Sequence, residues 1–276
     1  MVVRSHMAVA SRPEDLAGMT QSVQRVLSLL LLFDRLHPRW RVVELAREAG
    51  LPQSTVSRLL NNLESMGFVE RDESTGQYQL GLSLVMLGGI ALTNDEIFRH
   101  GVAEVGALAA EFHLDANLAI LKQDRLFYLA ALEYPAPRSA FPLSGYTDHL
   151  HSTGLGAALL SGMSEDEREA ILRRIEYPRV TAFTPGSSDE FRARIMSAVE
   201  RGYAVDREAN NRGFGCVAAP IFDAHRRVVA ACSVSGTLSA LDLERRVDEL
   251  GGRIVEVAGL ISRNLGYGEA LAGRRG

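Results

Sequence analysis

Two groups of side chains in this 276-residue sequence have types and spacings suited to chemistry. The first is a polar stripe. Ser54, Arg58, Asn61 and Ser65 recur at intervals of three and four, opposite an apolar stripe of Val56, Leu59, Leu60, Leu63 and Met66. Arg can pair bidentately with guanine, Asn with adenine, and Ser with base or phosphate. A helix laid in a DNA major groove needs an outer face of this kind, whereas an ordinary solvated face carries more Glu and Lys. The second group lies in the C-terminal half. Ser152-Thr153-Gly154-Leu155-Gly156 precede an apolar helical run, a setting in which backbone N–H groups can meet a carboxylate. The same small residues would also serve tight packing of a helix on a sheet. Cys216, Ser233 and Ser235 fall on two apolar strands joined by a turn at Ala224-His225. With an even number of loop residues, paired positions sum to an odd number. Cys216 then shares a face with both serines, Cys232 lies on the other face, and no disulfide is expected.

The elements that must hold these groups follow from periodicity. Helical spacing starts at Gln21, with Val23, Val26, Leu27, Leu30 and Phe33 as a core stripe and Leu29, Leu31 and Leu32 outside it. A polar break at 34–41 precedes a short helix opening at Val42 and stopped by Gly50. The reading helix runs from about Gln53 to Met66. Residues 68–71 and 77–80 make a hairpin around 72–76. Three helices followed by a hairpin form a winged helix-turn-helix pattern. Residues 82–111 read as helix interrupted near Asn94-Asp95. Beyond them come strands at 117–121 and 125–132, helices at 152–162, 165–175 and 189–201, the strand pair 215–222 and 227–234, and a final helix at 241–265. Asp206 falls in a stretch of turn character, 202–211.

Composition narrows the classes. Hydrophobic residues make up 46% and charged residues 23%, with a net charge of −4. A bulk polycation is thereby excluded, and between Thr20 and Leu80 seven arginines balance seven acidic residues. Any DNA-facing charge must be a local patch, with Arg25, Arg39, Arg41, Arg58 and Arg71 as candidates. No apolar run approaches the roughly 20 residues of a spanning helix. Two cysteines make no disulfide framework, so a cytoplasmic setting is expected. Residues 1–19, with Ser5-His6-Met7 similar to a cloning scar, read as a disordered leader, and 269–276 as a flexible tail. His113, His149, His151 and His225 show no metal-ligand spacing. No metal and no cofactor are expected. A nucleophilic group of Cys216, His151 and Asp206 lacks a second visible element of such a mechanism.

Longer runs carry a family resemblance. Ser22-Val23-Gln24-Arg25-Val26-Leu27, then Leu45-Ala46-Arg47-Glu48-Ala49-Gly50-Leu51-Pro52, then Ser54-Thr55-Val56-Ser57-Arg58-Leu59-Leu60, resemble the DNA-binding domain of the IclR family of bacterial transcriptional regulators. Gly76-Gln77-Tyr78-Gln79-Leu80-Gly81 resembles the end of that family's wing. His151-Ser152-Thr153-Gly154-Leu155-Gly156-Ala157-Ala158-Leu159-Leu160, Arg201-Gly202-Tyr203-Ala204-Val205-Asp206, Cys216-Val217-Ala218-Ala219-Pro220-Ile221-Phe222-Asp223 and Ser233-Val234-Ser235-Gly236 continue the likeness over about residues 20–265. Trp40, beside Arg39 and Arg41, is bulkier than that family's pattern, and residues 134–146 match none of it.

The resemblance implies an α+β fold: a winged helix-turn-helix at 20–81, a linker helix at 82–99 and a GAF-like effector-binding domain at 100–268. It implies Gln53, Ser54, Thr55, Ser57, Arg58 and Asn61 toward DNA. It places a small-acid effector among Ser152, Thr153, Gly154, Leu155, Gly156, Asp206, Cys216, Ser233 and Ser235. It implies dimers or tetramers on a palindromic double-stranded operator, no membrane partner and no enzyme activity. Two alternatives stand beside it: a second domain that only oligomerises, and a Cys-dependent redox sensor or hydrolase fused to a DNA-binding domain.

Overall fold

The computed structural model describes residues 20–34, 36–134 and 147–268. The leader, most of the unplaced 134–146 stretch and the 269–276 tail lie outside the described residues. The chain divides into two units, Met1–Ala91 and Leu92–Gly276. The division falls inside one helix.

In the first unit, α1 (Gln21–Leu30), α2 (Val42–Ala49) and α3 (Gln53–Ser65) enclose a small apolar core. α2 stops at Gly50, whose φ of 64° suits a residue without a Cβ, and Leu51 N–H closes the turn on Ala46 O. α3 buries Val56, Leu59, Leu60 and Leu63, as its spacing predicts, but Met66 is exposed because the helix ends one residue before it. The core face of α1 is rotated from the expected one. Leu29 is fully buried, Leu32 packs beside it, and Val23 and Leu27 are exposed with Leu31. Position 29 is the one that faces α2 and α3, and the unbroken apolar run 29–33 at the end of the helix gives the sequence no contrast by which to locate it.

The hairpin has a third strand. β1 (Arg39–Trp40) joins β2 (Val69–Arg71) and β3 (Tyr78–Leu80) in the order β1-β3-β2. Two residues are too few for alternation to reveal. Trp40 is there for structure: its indole N–H donates to Leu32 O at 3.1 Å, and its ring stacks on His37. The β2–β3 turn is tied by Asp72, which accepts from Ser74 N–H, the Ser74 hydroxyl and Thr75 N–H. α4 (Leu82–Thr93) follows and buries none of its residues.

The second unit opens with α5 (Glu96–Phe112), capped by Asp95, which accepts from Phe98 N–H. Six antiparallel strands then form one sheet: β4 (Asp115–Lys122), β5 (Arg125–Leu132), β6 (Thr147–His149), β7 (Ala204–Arg207), β8 (Phe214–Phe222) and β9 (Val228–Thr237), in the order β6-β5-β4-β9-β8-β7. Gln123 and Asp124, with φ of 49° and 61°, make the tight β4–β5 turn. One sheet face packs against α5 and α10 (Leu243–Asn264), with the short α9 (Leu238–Leu241) at its margin. The other packs against α6 (Gly154–Ser161), α7 (Glu165–Arg174) and α8 (Ser188–Arg201). The sheet is thus covered on both sides, which is why β8 and β9 are apolar on both.

Beyond the short β7, the edge of β8 is blunted. Pro220 has no N–H to offer, and Phe222 N–H donates to the Ser262 hydroxyl of α10 at 3.0 Å. Asp206 lies on β7 and not in a turn. The four residues Ala204–Arg207 look like loop until β8 supplies hydrogen-bonding partners.

Candidate functional site

Register puts the second group of side chains into rows across the sheet. Asp206 pairs with Cys216, Cys216 with Ser235, and Ser235 with Asp115. The next row on the same face is Ala204, Ala218, Ser233 and Asn117. Directly opposed residues share a face, so Asp206, Cys216, Ser233, Ser235 and Asn117 all look toward α6. The parity read from the sequence holds for Cys216 and both serines. Cys232 pairs with Ala219 on the opposite face, and both thiols are free.

Asn117 is the residue the sequence did not single out. Its Nδ2 donates to the Ser233 and Ser235 hydroxyl oxygens, each at 3.1 Å. Each serine oxygen thereby accepts one hydrogen and keeps its own to donate. The signal was present only as alternation along β4, because the three residues meet through the pairing of β4 with β9.

α6 meets this face almost without clearance. A Cβ on Gly154 would stand 2.7 Å from Cys216 Sγ, and one on Gly156 would stand 2.1 Å from Leu150 O. The two glycines therefore serve close packing. The helix N-terminus is also already engaged. Thr153 caps it by accepting from Gly156 N–H at 3.0 Å, and Gly154 and Leu155 N–H point at the Cys216 sulfur. Ser152 donates toward His149 O and Asn210 Oδ1, and the Leu155 side chain is buried in the core. A carboxylate arriving at 152–156 would have to displace the thiol.

Burial pushes the Cys216 thiol up to about 12, and the nearby Asp206 charge adds to this against the helix N–H groups. A buried, neutral thiol is a poor nucleophile and a poor redox sensor. Burial likewise raises the Asp206 carboxyl to about 6, although the Arg194 guanidinium pulls it down. Arg194 Nη1 donates to Asp206 Oδ1 at 3.2 Å and Nη2 to Phe183 O at 2.7 Å. This arginine lies twelve residues before its partner, while the sequence offers the nearer Arg207 and Arg212.

Further around the same face, the Tyr128 hydroxyl and Asn210 Nδ2 both donate to Asp148. His151 is buried, with Nε2 against Pro178 O at 3.0 Å and Nδ1 unbonded. His149, 5.5 Å away by ring centres, is held near 4, first by burial and then by Arg125 and His151. Among the described residues, no three His, Cys, Asp or Glu side chains gather as a metal site.

In the first unit, Gln53, Ser54, Arg58 and Asn61 are exposed along α3, with Thr55 and Ser57 half-buried beside them. Arg58 has no ion pair among the described residues. Arg71 stands on the wing, its guanidinium 5.9 Å from the Tyr78 ring centre. Arg39 reaches Asp72 at 3.4 Å, Arg41 is exposed at the start of α2, and Arg25 is half-buried on α1.

A winged helix-turn-helix joined to an α/β domain with a polar row on a buried sheet face defines a transcription regulator with a sensing domain. Residues 22–73 match the IclR helix-turn-helix domain, and residues 90–263 match the C-terminal domain of the bacterial transcriptional regulator IclR. The chain belongs to the IclR family of bacterial transcriptional regulators. It is 28% identical over 247 residues to the transcriptional regulator XynR of Escherichia coli, covering 90% of this chain and 98% of that one. It is 30% identical over 264 residues to the transcriptional repressor IclR of Escherichia coli, covering 95% and 94%. The structure of an IclR homologue from Microbacterium hydrocarbonoxydans, complexed with 4-hydroxybenzoate, shares the fold at a TM-score of 0.75 and 22% identity, covering 89% of this chain and 99% of that one. No helix among the described residues is long and apolar enough to cross a membrane.

Asp206 makes the second unit's stability depend on pH. A carboxyl whose folded pKa lies above the ordinary 3.8 binds more protons folded than unfolded between 3.8 and about 6, so its contribution falls as pH rises through that window. The melting temperature of the protein minus that of Asp206→Asn should therefore decline from about pH 4 to about pH 6 and level off above. Thermal scans of both across pH 4–8, a range of about four units, check this. A flat difference would refute a buried, shifted carboxyl.

Proposed function

We propose that this regulator is a cytoplasmic, non-enzymatic sensor of a small hydroxy-, keto- or aromatic acid, controlling an operon for the metabolism of such compounds. One observation carries the sensing half. In a domain packed with apolar side chains, Asp206, Cys216, Ser233, Ser235 and Asn117 stand together on a buried sheet face. The free hydroxyl hydrogens of Ser233 and Ser235 suit a carboxylate or keto oxygen, and Asp206 suits a hydroxyl. The Gly154 and Leu155 N–H groups become a further anion contact only if the Cys216 thiol turns away. The bound 4-hydroxybenzoate of the Microbacterium protein, an aromatic hydroxy acid, supports this class of effector. The raised thiol argues against the Cys-dependent alternative, and the polar row against a domain that only oligomerises.

The DNA-reading half rests on α3. Arg58, Asn61, Ser54 and Gln53 meet base edges in the major groove, Thr55 and Ser57 flank them, and Arg25, Arg39, Arg41 and Arg71 approach phosphates. The protein acts as a homo-oligomer on a palindromic operator. α4 supports this: Leu82 is 73% exposed, and Val85, Met86, Leu87 and Ile90 are exposed too. A helix apolar on every side needs a cover. Val23, Leu27 and Leu31 extend the unburied apolar surface along α1 at intervals of four. A second copy brings the same surfaces together around a two-fold axis.

Arg58→Ala should weaken operator binding by about 1–3 kcal/mol and relax base preference at one position. Arg71→Ala should weaken all sequences alike and lower the salt slope. Gel shifts on randomised sites separate the two, and unchanged affinity and preference in Arg58→Ala refute the assignment of α3.

Sedimentation should show at least a dimer at micromolar concentration and a shift toward monomer in Met86→Asp. A monomeric parent protein refutes the oligomer.

In a thermal-shift screen, an acid at about 100 times its Kd should add about 2.7 kcal/mol of stability. Ser233→Ala combined with Ser235→Ala should abolish that gain, with Asn117→Ala weakening it. A screen in which only neutral apolar compounds stabilise the protein refutes the effector class.

A further inference from the structure

A second concavity lies at the free edge of β7, outside the polar row. It is a solvent-open cleft of about 510 Å³, within the range of small-molecule sites, and three arginines line it: Arg194, Arg201 and Arg207. Arg194 and Arg201 are seven residues apart on α8, so they stand on one helix face roughly 10 Å apart. Arg207 comes from β7, on the sheet face opposite Asp206. The first turn of α10 closes the cavity with Leu243 and Glu244.

The charge there is unbalanced. Glu244 is the one carboxylate in the lining, against three guanidiniums. Neither Arg201 nor Arg207 has an ion pair among the described residues. Some arginines of this unit do find carboxylates, as Arg174 faces Asp124, Arg192 faces Glu169, Arg227 faces Asp223 and Arg253 faces Glu111. Arg201 and Arg207 differ from the other arginines without an ion pair among the described residues, such as Arg212 and Arg263, in sharing one concavity with Arg194. Like charges gathered on a concave, partly apolar wall repel one another until an anion joins them. Guanidinium forks match the tetrahedral oxygens of phosphate two at a time. Arg194 is already balanced by Asp206, so Arg201 and Arg207 against Glu244 leave a net positive charge for a phosphate monoester to meet.

We propose that this cavity binds a small phosphate-bearing metabolite, at a site separate from the effector face. Arg194 belongs to both: one edge of its guanidinium holds Asp206, and the same side chain lines the cavity. An anion drawing on Arg194 loosens its hold on Asp206. The cavity is therefore a place from which a second metabolite adjusts the response to the first.

Inorganic phosphate is the probe, titrated into the full-length protein with ionic strength held constant by sodium chloride. A saturable rise in Tm is expected. Arg201→Ala and Arg207→Ala should each weaken the apparent affinity about tenfold, the loss expected for one charge-assisted hydrogen bond. Both lie on the surface and leave the Arg194–Asp206 pair intact. The Ser233→Ala, Ser235→Ala protein should keep the phosphate response, which separates this site from the effector face whatever the acid screen shows. No saturable rise beyond chloride overturns the proposal. So does a response that survives in the double arginine variant, one lost with the two serines, or one to malonate but not phosphate.

Discussion

The second unit depends on how closely the first turn of α6 approaches the sheet and the short 3-10 turn Leu150–Ser152 before it. Gly156 has no room for a Cβ against Leu150 O, and Gly154 has none against Cys216 Sγ. That approach sets the Cys216 sulfur beside the Gly154 and Leu155 N–H groups, at a helix terminus that Thr153 also caps. It also holds α6 flat on β8 and β9, so the layer of Leu155, Ala157, Ala158 and Leu159 is dry. A polar row beside such a layer keeps its hydrogen bonds strong, since little water competes for them.

The same dryness explains the electrostatics. Asp206 is nearly enclosed, and its carboxyl rises despite a direct pair with Arg194. Desolvation outweighs the partner because Arg194 is itself a third exposed and spends part of its charge on water and on Phe183 O. A carboxyl held this way depends directly on where the Arg194 guanidinium stands. Asn117 plays the complementary neutral part: one amide group orders two hydroxyls without introducing charge.

The first unit has the opposite character. Its core is small, and its polar groups serve turns and caps. Asp72 gathers three donors to shape the wing, and Trp40 ties β1 to the end of α1 through Leu32 O. Arg58, which α3 presents outward, has no ion pair among the described residues, while Ser65 at the helix end donates to Asn62 O. α4 presents apolar side chains in every direction and buries none of them.

Much of this was legible in the sequence, where the governing interactions are local. The helical period of α3 told which residues turn inward, and Gly50 marked the end of α2. Strand parity told that Cys216 shares a face with Ser233 and Ser235 before any register was known. Those inferences need only the 3.6- and 2-residue repeats of a single chain segment. The core face of α1, the strands β1, β6 and β7, the partner of Asp206 and the role of Asn117 were decided by tertiary structure. Leu29 is buried because α2 and α3 stand on that side, and β7 is a strand because β8 offers it an edge. Arg194 reaches Asp206 because α8 crosses that same sheet face, and Asn117 meets two serines more than a hundred residues away because β4 lies beside β9. A pattern along the chain records what a residue's own segment requires of it, and carries no record of which distant segment arrives beside it.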